Sequence, residues 1–133
     1  MIIIPLAQAP TRKGPASYFT GNVWQEPVYE AQPPSNIRSL RVSFEPGART
    51  AWHTHPLGQV VHIVNGICLV QSWGGKIREV MPGETCYFEP DEKHWHGAAA
   101  GHFMTHIAIQ EAVNGSHVTW MEQVSEAQYR GEV

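Results

Sequence analysis

GARTAWHTHPLGQVVHIVNG, residues Gly47 to Gly66, is the stretch on which the reading of the chain turns. It sets His53 and His55 two residues apart in a predicted strand, follows them with Gln59 and ends on Asn65-Gly66. Side chains alternate faces along a strand, so the two histidines point the same way, about two rises of roughly 3.3 Å apart. Two imidazoles aimed in one direction are the beginning of a metal site. Asn-Gly between apolar runs predicts a hairpin, because a two-residue turn needs positive φ at both positions.

The same strand-and-turn rhythm runs outward from this stretch in both directions. Upstream, Leu40, Val42 and Phe44 share one face of a strand starting at Ile37, with Arg41 and Ser43 on the other, and Val23 to Tyr29 can add a short strand. Downstream, Ile67–Trp73, Lys76–Val80 and Thr85–Glu89 read as strands separated by Gly74-Gly75 and Met81-Pro82-Gly83-Glu84. His94-Trp95-His96 then repeats the alternation of His53 and His55. In Phe103–Glu111, Met104, His106, Ala108 and Gln110 fall on one face. Val118–Met121 is a last strand, and Ser125-Glu126-Ala127-Gln128 resembles a capping box opening a short C-terminal helix. Eight or so short strands with regular turns and no long helical period predict an all-β sandwich or barrel, with residues 1–133 as one domain.

Composition narrows the function classes. A chain of 133 residues can bury one sizeable core, and its net charge of -3, with no basic block, argues against a nucleic-acid partner. No apolar window approaches the roughly 18 residues of a membrane span. Cys68 and Cys86 sit inside apolar runs, which predicts buried free thiols and fits the cytoplasm. MIIIPLAQAP lacks a basic start and is interrupted by Pro5, so it reads as an N-terminal edge strand, not a signal peptide.

Taken from the residues alone, the candidate ligands are His53, His55, Gln59, His94, His96 and His106, and imidazole suits zinc, iron, manganese, copper or nickel. A lone strand histidine is ordinarily a surface or hydrogen-bonded core residue. Two His-x-His pairs in one small β domain are different, since each aims two nitrogens together. His62 is out of register with Gln59 and is expected to be exposed or behind the site. His102 and His117, in turns, are expected to be solvated. Trp52 and Trp95 lie on the strand face opposite the ligands and are expected to serve packing or an interface between copies.

A family resemblance attaches to these residues. Gly47, then His53-Thr54-His55, then Gln59 and Gly66 resemble the first motif of the cupin barrels, with Gln59 in place of the usual Glu. Pro90-Asp91-Glu92-Lys93-His94 resembles the second motif without its glycine. The resemblance implies a double-stranded β-helix, or jelly-roll, with a metal held by His53, His55, Gln59 and His94. The segments ARTAWHTHPLGQ, EKHWHGAAA, MTHIAIQE and WMEQVSEAQY look more narrowly like small bacterial manganese-dependent hydroxynitrile lyases. That likeness implies manganese first, with iron, zinc or nickel as alternatives, His106 as general base, and His96 and Gln110 in the pocket. Position 40, which lines the pocket in that group, is the bulkier Leu40 here.

A neutral Gln59 leaves a three-histidine site with about two positive charges, a stronger Lewis acid than one balanced by a carboxylate. The expected function is therefore cleavage and formation of small cyanohydrins by a metal-dependent lyase. The alternatives are an iron- or manganese-dependent oxygenase or an isomerase of a small oxo-acid or sugar, and a non-catalytic cupin binding a small metabolite. A homo-oligomer, dimer or tetramer, is expected, with Ile2-Ile3-Ile4 as a contact segment by analogy with other small cupins.

Overall fold

The computed structural model describes residues 1–133. Its strands, in chain order, are β1 (Arg12–Lys13), β2 (Phe19–Thr20), β3 (Val23–Glu30), β4 (Ile37–Phe44), β5 (Arg49–Thr50), β6 (His53–Thr54) and β7 (Gln59–Gly66). They continue with β8 (Cys68–Ser72), β9 (Arg78–Val80), β10 (Thr85–Phe88), β11 (His94–Ala98), β12 (Met104–Glu111) and β13 (Thr119–Trp120), before one helical turn, α1 (Glu126–Tyr129). One antiparallel sheet runs β1-β3-β4-β12-β7-β10. The other runs β13-β6-β11-β5-β2, with β8 also on β11 and β9 on β8. The chain passes repeatedly from one sheet to the other, which gives the jelly-roll barrel.

Alternation explains what fills it. Met104, His106, Ala108 and Gln110 of β12 are all buried, as are Val42 and Phe44 of β4 and Val61 and Ile63 of β7. Each large apolar side chain so enclosed contributes roughly 1.5–3 kcal/mol. Thr105 points away from this core yet is also buried, and its hydroxyl is satisfied by that of Ser43 at 3.0 Å.

Two sequence expectations give way here. Asn65-Gly66 closes no hairpin, since β7 and β8 lie in different sheets. Gly66 (φ +77°) instead marks the corner where the chain crosses between them; a Cβ there would lie 1.6 Å from the Phe103 carbonyl oxygen. Positive φ and close backbone approach call for the same residue, so the sequence could not separate corner from turn. The N-terminal run forms no edge strand either. Pro5 and Pro10 remove amide donors that a ladder would need; Leu6–Gln8 is a single 3-10 turn, and Ile2, Ile3 and Leu6 stay exposed.

The C-terminus behaves as its sequence predicts. Ser125 Oγ accepts from the Gln128 amide at 3.1 Å, and Gln128 Oε1 accepts from the Ser125 amide at 2.9 Å. This turn seats Tyr129 beside Trp95, where its hydroxyl donates to the Ala98 carbonyl at 2.7 Å. Trp52, Trp95, Val124 and Tyr129 form a second, smaller core. β11 is thus buried on both faces, with its tryptophan outward under the C-terminal segment and its two histidines inward. Both cysteines are free, Cys68 buried and Cys86 half-buried. No helix is long and apolar enough to cross a membrane.

Candidate metal centre

Two strands, β6 and β11, bring the histidines together. His94 of β11 pairs in register with His53 of β6, which pairs in turn with Trp120 of β13. His55 follows β6 by one residue, and Gln59 opens β7. His53, His94 and His96 each offer a ring nitrogen, and these lie within 4.8 Å of one another. His55 stands beside them, its ring centroid 5.0 Å from that of His53 and 5.6 Å from that of His94.

The hydrogen bonds fix which nitrogen faces inward. His53 Nδ1 donates to the Ala51 carbonyl at 2.8 Å, His55 Nδ1 to the His117 carbonyl at 2.6 Å, and His94 Nδ1 to the Glu92 carbonyl at 2.8 Å. A carbonyl only accepts, so each Nδ1 carries the proton and each Nε2 keeps a lone pair, the arrangement that outer hydrogen bonds impose on metal-ligating histidines. Phe88 stacks on the His94 ring at 3.6 Å and holds its plane.

Gln59 faces these histidines. Its Nε2 donates to Gln110 Oε1 at 3.2 Å, which turns its own Oε1 toward His94 Nε2, also 3.2 Å away. Both facing atoms are then acceptors, a repulsive contact unless a cation lies between them. Two ligand atoms about 2.1 Å from one ion at right angles lie about 3.0 Å apart, so the contact fits a shared divalent ion. The buried His55 Nε2 has no partner at all. Gln110→Leu is expected to let the Gln59 amide rotate and to weaken metal binding about 10- to 100-fold with the fold retained. Gln110→Glu, which can only accept, is expected to hold it; competition with a chelating dye reads both.

Burial lowers the pKa of every imidazole here. It pushes His94 and His106 down to about 3, lowers His55, and takes His53 and His96 well below the usual histidine range, with neighbouring imidazoles adding to the effect for His53, His94 and His96. All five are neutral at pH 7, so no proton need be displaced for a metal to bind.

His96, which belongs to the cluster, is also bonded to His106, Nδ1 to Nε2, at 3.0 Å. His96 Nε2 and His106 Nδ1, the outer nitrogens of the pair, are buried without partners. Both rings line a cavity of about 50 Å³ together with Leu40, Val42, Val118 and Trp120. Every site residue expected from the sequence therefore lies in or against one cluster, although neither His94, which faces Gln59, nor Gln110, which acts on Gln59, lines the cavity.

Some participants were not foreseen. His117 is half-buried, not solvated: its carbonyl orients His55, and burial with the Arg38 charge pushes its own ring down to about 4. Trp120 packs at 4.7 Å from His53, and its alternation with Val118 is the signal that could have flagged it. His62 is exposed and bonded to Thr85, and His102 is exposed, both as expected. Trp52 and Trp95 serve packing.

A small jelly-roll closed around histidines from β6 and β11 defines a cupin. The cupin-domain model matches residues 40–106, and the chain belongs to that family. Among its relatives, the chain is 52% identical over 118 residues to an (R)-mandelonitrile lyase of Granulicella tundricola, a match covering 89% of this chain and 90% of that one. A cupin-like protein of Thermotoga maritima, solved by crystallography, superposes with a TM-score of 0.84 at 38% identity over 90% of both chains. A polyketide cyclase of Streptomyces resistomycificus, at 14% identity and a TM-score of 0.74 over 98% of this chain and 91% of its own, shares the fold alone.

Proposed function

We propose that this cupin is a metal-dependent lyase that cleaves and forms small cyanohydrins, with His53, His55, Gln59 and His94 as ligands of a divalent ion, manganese first among candidates. The observation that carries the reading is the set of inward Nε2 lone pairs, each fixed by an Nδ1 bond to a carbonyl, around the Gln59 amide oxygen. The mandelonitrile lyase relative supports the choice of reaction. When bound, the ion supplies Lewis acidity toward a small oxygen or cyanide.

The chain's own residues do the rest. His106 takes the hydroxyl proton of the cyanohydrin; the bond between carbinol carbon and nitrile carbon then breaks, its electron pair leaves with cyanide, and a carbonyl remains. Burial keeps His106 neutral at pH 7, with a lone pair to accept the proton. It also weakens the ring as a base, so the hydroxyl must be made more acidic for the transfer to run. His96, bonded to it at 3.0 Å, holds its ring and shares the added charge. Val42, Val118 and Trp120 keep bulk water from the proton transfer.

The proposal extends to a homo-oligomer in which the exposed Ile2-Ile3-Ile4 segment would be a contact between copies. A cytoplasmic location is part of the same proposal and agrees with two free thiols. Mandelonitrile cleavage followed by benzaldehyde absorbance, with an oxygen electrode in parallel, tests the reaction. Metal-dependent benzaldehyde release without oxygen uptake is expected; oxygen uptake with no release would turn the reading to an oxygenase.

A further inference from the structure

A second concavity adjoins the metal cavity. A groove of about 330 Å³ runs between β1, β3 and β4, and it shares Gln25 and Leu40 with the inner cavity. Its charged lining is two arginines, Arg12 and Arg38, against one carboxylate, Glu30. Arg12 makes no ion pair, and Arg38 meets Glu30 at 3.6 Å, with 35% and 68% of the two side chains exposed. Such a pair is worth little in water and gives way easily to a better-placed anion.

Register links this groove to the ligands. Arg38 pairs with Gln110, and Gln110 pairs with Gln59. Arg38 thus lies two strand spacings, about 4.8 Å each, from the backbone of the proposed ligand. It also starts the row Arg38, Leu40, Val42, Phe44, of which the last three line the inner cavity. The cation therefore stands at the mouth of the cavity, with Leu40 between.

We propose that this groove is a carboxylate-binding subsite of the same active site. Arg38, supported by Arg12, would seat the carboxylate of an aldehyde, or of its cyanohydrin, whose reacting end enters past Leu40. A guanidinium takes a carboxylate through two parallel N–H bonds, and displacing Glu30 costs little. The substrate class is then a carbonyl compound, or its cyanohydrin, carrying a carboxylate several ångströms from the reacting carbon.

The proposal rests on the inner cavity being the reaction site, and a binding measurement separates the two. Ligand-observed NMR titration of the purified protein with 4-formylbenzoate and with benzaldehyde compares rigid probes whose carboxylate and aldehyde cannot both reach one ion. The carboxylate is expected to bind at least tenfold more tightly, Arg38→Gln to bring the ratio close to one, and Arg38→Lys to keep part of it. Equal affinities in the unaltered protein, or an undiminished ratio in Arg38→Gln, would overturn the subsite. Neither readout needs turnover, so a failure of cyanohydrin cleavage would leave it standing.

Discussion

His106→Ala is expected to retain the metal and lose cyanohydrin cleavage by about 10²- to 10⁴-fold, the usual contribution of a general base. The ring is fully buried, lines the cavity and touches no proposed ligand; its polar contact is the 3.0 Å bond to His96. Removing it should leave the Nε2 lone pairs of His53, His55 and His94 in place, since these are set by the Ala51, His117 and Glu92 carbonyls. Metal content and kcat must therefore separate in this variant. Because the truncation opens a cavity, His106→Gln serves as a companion that fills the volume without an imidazole. Full activity in either variant would remove His106 from the mechanism.

His94→Ala should lose both properties together. His94 faces Gln59 at 3.2 Å, and its ring centroid lies 4.2 Å from that of His53. Its loss takes away one of three nitrogens and leaves Phe88 facing a void. Even an altered partner of a ligand costs about 10- to 100-fold in metal affinity, so removing a ligand should cost more than about 100-fold. Chelator competition measures the affinity and circular dichroism checks the fold. Unchanged affinity in a folded His94→Ala protein would mean that the ion is held elsewhere, for instance with His96, whose nitrogen shares the same cluster.

Much of this site was legible in the sequence because it rests on period-two alternation. That rule placed His106 and Gln110 on one inward face of β12, and His94 and His96 inward with Trp95 outward, as the burial of these strands bears out. What escaped were contacts made by backbone atoms and by strands far apart in the chain. The His117 carbonyl that orients His55 carries no side-chain signature. The bond between His96 and His106 joins strands of different sheets, and no local pattern announces it. Asn65-Gly66 misled for a different reason: a glycine demanded by a sheet-to-sheet crossing looks the same in sequence as one demanded by a hairpin. The groove beside Leu40 was invisible too, because Arg12 and Arg38 come to line one groove only once β1, β3 and β4 are laid side by side.

Elemental analysis of the purified protein, paired with mandelonitrile cleavage before and after chelation, tests the central claim most directly. About one divalent ion per chain is expected, as a single set of converging ligands requires. Chelation should remove ion and cleavage together, and Mn(II) should restore both. Metal-free protein that cleaves mandelonitrile at the full rate would contradict the account.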